Sequence, residues 1–220
     1  MGSTLNILQT ELLPALWQTV QMVIISMIIA LIVGMALGLV LFLTENPLFY
    51  RNRIVNGIAS FIVNLIRSIP FIILLVLLIP LTQLLIGTSI GPIAASVSLS
   101  ISATAFFARL VEGALSEVDK GVIEASKATG AGFGLILHDV LLVEALPGLV
   151  RAITVTIINV IGFSAMAGIV GGGGIGNLAI QYGYYRYETG VMIVTVVILV
   201  IIVQGAQAIG DAVARKFTRE

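Results

Sequence analysis

The chain has 220 residues, of which 59% are hydrophobic and only 10% are charged, and its 11 basic residues balance its 11 acidic ones. Soluble domains carry about 25% charged residues, so this composition excludes an ordinary soluble domain and predicts a protein of the lipid bilayer. Zero net charge gives no indication of nucleic-acid binding, and the absence of cysteine excludes disulfides, thiol catalysis and cysteine-ligated metals.

Long uncharged stretches predict membrane-spanning helices, because about 20 apolar residues, each rising 1.5 Å, cross the hydrocarbon core. No charge occurs from Leu12 to Thr44, which indicates the first span, and none from Ser68 to Ala108, which prolines and glycines divide in two. The predicted spans lie at about 17–43, 57–81, 92–110, 150–170 and 191–211. We therefore predict one all-α, polytopic membrane domain over residues 1–220, with five transmembrane helices.

Basic residues predict the orientation of these spans. Ten of the 11 fall on one side, and only Arg186 falls on the other. Short loops rich in Lys and Arg remain cytoplasmic. An odd number of spans places the two termini on opposite sides of the membrane. Because the basic C-terminal side is cytoplasmic, the N-terminus is predicted outside. The C-terminus and a polar insert at about 112–148 are predicted in the cytoplasm.

The polar insert predicts a short exposed helix. Apolar residues recur at helical spacing before Gly130, which is the residue type that commonly ends a helix in the left-handed conformation. Glu124, Ala125 and Ser126 would form a small projection on it, because small side chains permit close approach and a carboxylate can pair with a partner's arginine. Spacing alone leaves a plain connecting loop open as the alternative.

A second amphipathic stretch follows in the insert, and we predict that it lies along the membrane or against the spans. His138 and Asp139 face away from its apolar side, which consists of Phe133, Ile136, Leu137, Val140 and Leu141. His138 is the sole histidine and lies away from any serine in a span, so an intramembrane hydrolase is not expected. We predict neither catalytic nor metal-binding residues.

All carboxylates fall in loops or near the ends of the predicted spans, so an internal proton relay is hard to build and another subunit should supply the driving force. The glycine cluster at 171–176 is not followed by Gly-Lys-Ser/Thr, which argues against a phosphate cradle. We interpret it as a turn that requires positive φ, a structural hinge rather than a substrate site.

Glu124-Ala125-Ser126 followed by Gly130 resembles the E-A-A-x-x-x-G motif of permease subunits of ATP-binding-cassette importers. The chain differs in the second half of the motif, where Leu142-Val143 stands in place of the family's Leu-Pro. Further stretches resemble the permeases of D- and L-methionine importers: 67–71, 87–91, 107–109, 144–148, 162–166 and 181–184. The resemblance implies a type I, methionine-permease-like fold and a homodimer.

The resemblance also implies partners and roles. Two ABC ATPase subunits would dock on Glu124, Ala125, Ser126 and Gly130, and an extracytoplasmic methionine-binding protein would deliver the substrate. ATP and Mg²⁺ would bind the ATPase, so this chain would hold no cofactor and catalyse nothing. It would translocate methionine across the plasma (inner) membrane by alternating access. The alternatives are import of another amino acid or small polar solute, and an ATPase-independent channel or secondary transporter.

Five spans cannot readily enclose a pathway, but two copies can. The fourth span suits the dimer axis because it contains small residues that permit close helix approach: Gly162, Ser164, Ala165, Ala167 and Gly168. Phe163, Ser164 and Met166 are the predicted pathway or gate residues, with simple packing as the alternative for Met166. Arg67 is predicted either to meet the substrate carboxylate or to snorkel to the interface.

Overall fold

The computed structural model describes residues 2–217, with side chains from residue 4, and this part of the chain contains helices and no strand. The α-helices in chain order are α1 Gly2–Ile29, α2 Met35–Glu45, α3 Arg53–Ser68, α4 Phe71–Leu77, α5 Ile79–Ile86, α6 Pro92–Ser116, α7 Lys120–Ala128, α8 Phe133–Leu135, α9 Leu142–Glu144, α10 Leu146–Ala167, α11 Gly174–Leu178 and α12 Thr189–Phe217. A π-helical turn, Ala30–Gly34, joins α1 to α2 without a break. The predicted all-α class is confirmed.

Within residues 2–217, four helical stretches are long and apolar enough to cross a bilayer: Thr4–Glu45, Pro92–Ser116, Leu146–Val170 and Thr189–Phe217. They contain the predicted spans at 17–43, 92–110, 150–170 and 191–211, and each extends beyond its predicted span. Hydropathy marks the apolar part of a helix, whereas backbone hydrogen bonding continues through polar turns at its ends. The predicted insert at 112–148 accordingly begins within α6 and ends within α10.

The predicted span at 57–81 is not a single helix. α3 and α4 meet at an angle of 105°, and this bent pair is the fifth candidate for crossing the membrane. Ile69 and Pro70 between them are extended, with ψ of 125° and 133°. Pro70 has no backbone N–H and disfavours a helical conformation of the residue before it, so the chain bends there. Both sides of the bend are apolar, and hydropathy therefore could not detect it.

The core is built around α6, which packs against α1, α2, α3 and α10. Its buried face carries many alanines and serines, such as Ala103 and Ser100. Gly34 and Gly38 lie against this face, and a Cβ on Gly38 would come within 2.6 Å of the Val111 side chain. Lipid tails are as apolar as leucine, so membrane helices associate through close van der Waals packing of small residues.

The glycine cluster forms the turn with positive φ that the sequence predicts. Gly171, Gly173 and Gly174 have φ of 85°, 78° and 80°. The backbone N–H of Gly174 donates to Gln18 Oε1 at 2.8 Å, and the N–H of the next residue, Ile175, donates to Thr19 Oγ1 at 2.9 Å. Side chains of α1 thus satisfy the first N–H groups of α11 and hold it against the end of α10.

Two glycines let α11 reach the end of α10 at backbone contact distance. A Cβ on Gly176 would collide with the backbone of Ala165, and one on Gly168 would collide with the backbone of Asn177. These small residues therefore serve the packing of α11 within the chain. Ala167 and Gly168 are buried here, which corrects their expected place on a dimer axis.

We expect Gly176→Ala to lower the free energy of unfolding by about 3 kcal/mol, because the new methyl group meets backbone that cannot move aside. Gly57→Ala is the matched control, since nothing lies within 4 Å of that glycine's Cβ position. Denaturation of both purified variants in detergent measures the difference. Equal stabilities would contradict the packing described for α11.

Candidate functional site

Helix α7 has well-defined caps at both ends. Asp119 Oδ1 accepts a hydrogen bond from the backbone N–H of Gly121 at 2.6 Å at its start. At its end Gly130 has φ of 82°, and the N–H groups of Gly130 and Ala131 donate to the carbonyls of Lys127 (2.9 Å) and Ser126 (3.2 Å). This is the Schellman arrangement, which satisfies the last carbonyls of a helix. The short helix stopped by glycine is therefore confirmed.

One buried side chain attaches α7 to the membrane helices. Ile123 is 1% exposed and belongs to a buried cluster that includes Phe42 of α2, Val111 of α6 and Ile136. We call this group the inner cluster; its buried members are Phe42, Phe107, Val111, Ala114, Leu115, Val118, Ile123, Ile136, Leu141, Ala145, Leu149 and Ala152. The cluster therefore packs α7 against residues of α2, α6 and α10.

Aromatic contacts brace the same helix from its side. The Lys127 ammonium lies 5.2 Å from the centre of the Phe49 ring, within the range of a cation–π contact. Phe133 in α8 meets Phe49 edge-on at 6.1 Å and Tyr50 at 5.3 Å between ring centres. Phe49 and Tyr50 after α2, together with Phe133 of α8, thus form an aromatic cluster beside the C-terminal end of α7.

The opposite face of α7 is open. Glu124 and Ala125 are exposed, and no ion pair among the described residues involves Glu124. Ser126 is half-buried, and its hydroxyl donates to the Val122 carbonyl at 2.8 Å within the helix. This surface offers a free carboxylate among small side chains. It can accept the guanidinium of a closely approaching partner.

The second amphipathic stretch has the predicted orientation. Ile136 and Leu141 are buried, whereas the side chains of His138 and Asp139 are 84% and 63% exposed and contact each other at 2.8 Å. Phe133, in contrast to these buried residues, is more than a third exposed, and its ring makes an edge-on contact with Phe49. No group of three or more His, Asp or Glu within the described residues could hold a metal ion.

The predicted gate residues occupy three different environments. Phe163 stacks on Phe71, the first residue of α4, with ring centres 4.4 Å apart and planes within 3°. Ser164 is 2% exposed and its hydroxyl donates to the Ile161 carbonyl at 2.7 Å, so it faces the packed interior of the subunit. Met166 is 44% exposed. Arg67 is exposed in the last turn of α3, just before the bend.

Met166 belongs to a row of exposed residues that we call the open face of α10. The row consists of Arg151, Val155, Gly162, Met166 and Ile169, the last of these one residue beyond Gly168 at the helix end. Their spacing places them within about 60° of one another around a helix of 3.6 residues per turn. This part of α10 is uncovered in a single chain.

Sequence reasoning missed a buried ionic site near the end of α6. The side chain of Glu112 is only 7% exposed and pairs with Arg109, whose second amino group donates to Asn64 Oδ1 in α3 at 2.8 Å. The sequence places Glu112, like the other carboxylates, in a loop or near the end of a predicted span. Its spacing of three residues from Arg109 is the signal that could have indicated the pair.

Comparisons with known proteins agree with this architecture. The family model described as "Binding-protein-dependent transport system inner membrane component" matches residues 30–219. The chain is 49% identical over 208 residues to the methionine import system permease protein MetP of Bacillus subtilis, which covers 94% of each protein. It is 46% identical over 157 residues to the D-methionine transport system permease protein MetI of Escherichia coli K12, covering 71% of this chain and 72% of the relative.

Solved structures are similar over nearly the whole chain. A chain of the MetNI methionine ABC transporter, in inward facing conformations, matches with a TM-score of 0.91 at 46% identity and covers 94% of this chain and 96% of its own. A chain of an amino acid ABC transporter solved with histidines matches with a TM-score of 0.77 at 19% identity, over 93% of this chain and 92% of its own. The latter likeness concerns the fold alone.

Proposed function

This chain belongs to the family of binding-protein-dependent transport system inner membrane components, and we propose that it is the permease subunit of an ATP-binding-cassette importer that translocates methionine. The methionine permeases to which it is similar over 94% of its length support the substrate. The observation that carries the transport mechanism is α7, a capped helix with an exposed acidic face and a buried attachment to the membrane helices.

The permease works as a homodimer of multi-pass inner-membrane subunits. Two ABC ATPase subunits bind on the side of α7, and an extracytoplasmic methionine-binding protein binds on the other. The distribution of the basic residues supports this orientation, with α7 and the C-terminus in the cytoplasm and the N-terminus outside. ATP and Mg²⁺ bind the ATPase, so this subunit is not an enzyme and converts the movement of its partner into alternating access.

Coupling uses Glu124, Ala125, Ser126 and Gly130. Glu124 pairs with an arginine of the ATPase, and the small neighbouring side chains let the ATPase surface approach closely. Gly130 lets the chain reverse direction after the helix, which leaves the docking face unobstructed. When the ATPase moves, Ile123 transmits the displacement to the inner cluster and hence to α2, α6 and α10. Closely packed interiors transmit displacement because they have little room to compress.

The pathway lies between the two copies, along the open face of α10. Met166 from each copy forms an apolar gate there, and the stack of Phe163 on Phe71 ties this region to α4. Arg67, at the end of α3, meets the substrate carboxylate as it passes; snorkelling to the interface is the alternative role for this arginine. We assign Ser164 no contact with substrate, because its hydroxyl is satisfied inside the subunit.

The decisive test is methionine uptake into proteoliposomes that contain this chain with its ATPase, supplied with the binding protein. We expect uptake that requires ATP, since no described carboxylate or histidine lies mid-span to couple transport to a proton gradient. Uptake driven by a membrane potential without ATP would indicate a channel or secondary transporter. ATP-driven uptake of another amino acid, but not of methionine, would indicate an importer of the same architecture with a different substrate.

We expect Glu124→Lys to weaken docking of the ATPase by about 2 kcal/mol, roughly 30-fold in affinity, because it replaces an attraction with a repulsion. Glu144→Lys, a charge reversal at another exposed position of the same insert, is the matched control and should bind as the native chain does. Co-purification and uptake measure both variants. Native affinity and uptake in the Glu124 variant would contradict the assignment of α7.

For the gate, we expect Met166→Ala to raise methionine leak without ATP by about tenfold, since a buried Met side chain contributes about 1.5 kcal/mol to a closed apolar contact. Val196→Ala changes a residue of α12 outside the open face of α10, with similar exposure of 48%, and should leave the leak unchanged. Efflux from preloaded proteoliposomes measures the leak. If neither leak nor uptake changes in the Met166 variant, Met166 is packing filler and the gate lies elsewhere.

A further inference from the structure

A polar contact connects two helices that lead to opposite ends of the transport mechanism. Arg109 of α6 pairs with Glu112 in the same helix, and its second amino group donates to Asn64 Oδ1 of α3 at 2.8 Å. α6 is followed after only three residues by α7, and α3 is followed after two by α4. The contact therefore joins α6, the helix that leads to α7, to α3, the first helix of the bent pair.

The ion pair prepares Arg109 for this contact. Glu112 is buried, with its side chain 7% exposed, whereas the Arg109 side chain is 30% exposed. A buried carboxylate needs a cation and hydrogen bonds, so the guanidinium is kept in place by Glu112. Its planar fork then presents the other amino group in a fixed direction. Asn64 receives a charge-assisted hydrogen bond whose donor is already oriented, so little entropy is lost in forming it.

Helix α3 has few other attachments, which gives this contact mechanical importance. Val63 is its only residue classed as buried, and large apolar side chains such as Phe61 and Leu65 are more than half exposed. Val63 packs in a small cluster with Leu41 and Ala105. A second asparagine, Asn56, donates to the Leu41 carbonyl at 3.0 Å and so ties α3 to α2. Asn64 ties it to α6.

We infer that Asn64 is a positioning residue that makes α3 follow α6 when the ATPase moves α7. The movement then continues through the bend at Ile69 and Pro70 to Phe71, whose ring stacks on Phe163 at 4.4 Å. Without the contact, α6 moves while α3 and α4 lag, and hydrolysis no longer opens the pathway fully. This inference rests on the proposed function as an ATP-driven importer.

The test compares variants of the complete transporter in proteoliposomes and measures methionine taken up per ATP hydrolysed. Asn64→Leu removes the acceptor, and we expect it to lower this ratio about fivefold while hydrolysis stays within about twofold of native. Asn64→Asp keeps an oxygen acceptor for Arg109 and should restore the native ratio. Asn56→Leu removes a hydrogen bond of the same helix to α2 and should leave the ratio unchanged.

A native ratio in Asn64→Leu would overturn the inference, and so would an equal decrease in Asn56→Leu, which would indicate a general loosening of α3. If the Asn64→Leu variant does not insert into the membrane, Asn64→Ala takes its place, and the same results would support or overturn the inference. Arg109 itself is unsuitable for the test, because its removal leaves Glu112 buried without a cation. Failure of the native complex to import methionine with ATP would refute the proposed function. That result is distinguishable from failure of the inference about Asn64, which is measured only in variants of a complex that imports methionine.

Discussion

The burial of Ile123 is the contact on which the proposed mechanism depends. A partner could displace a helix that only lies on the surface without moving the membrane helices. Ile123 is almost fully buried in the inner cluster, which includes residues of α2, α6 and α10. Burying such a side chain contributes about 1.5 to 3 kcal/mol. The caps at Asp119 and Gly130 stabilise the same nine-residue helix.

Small residues give the membrane part its close packing at two places, whereas at a third place a small residue lies on an uncovered helix face. Gly34 and Gly38 bring the first helix against α6 and so form the centre of the subunit. Gly168 and Gly176 bring α11 against the end of α10. Gly162, in contrast, has nothing within 4 Å of its Cβ position and lies on the open face of α10. One face of α10 thus remains uncovered by the rest of the subunit.

Many polar groups within this apolar fold are satisfied by near neighbours, and this explains which of the predicted residues are buried and which are exposed. The hydroxyl of Ser164 finds a carbonyl in its own helix and turns away from the open surface. Glu112 finds Arg109 and becomes a buried ionic site instead of a solvated charge. Glu124 remains exposed because α7 projects away from the bundle. A polar residue's role here follows from the partner it has, which the residue type alone does not specify.

The sequence by itself determined the all-α membrane class, the four long apolar helices and the existence of α7, because hydropathy and helix-ending glycine are properties of neighbouring residues. It also contained Pro70, whose local effect is plain in retrospect, but the apolar residues around it concealed the 105° bend. Only the tertiary structure decided that Asn64 meets Arg109 and that Phe71 stacks on Phe163. These partners are 45 and 92 positions apart, and packing of whole helices, which no local pattern records, brings them together.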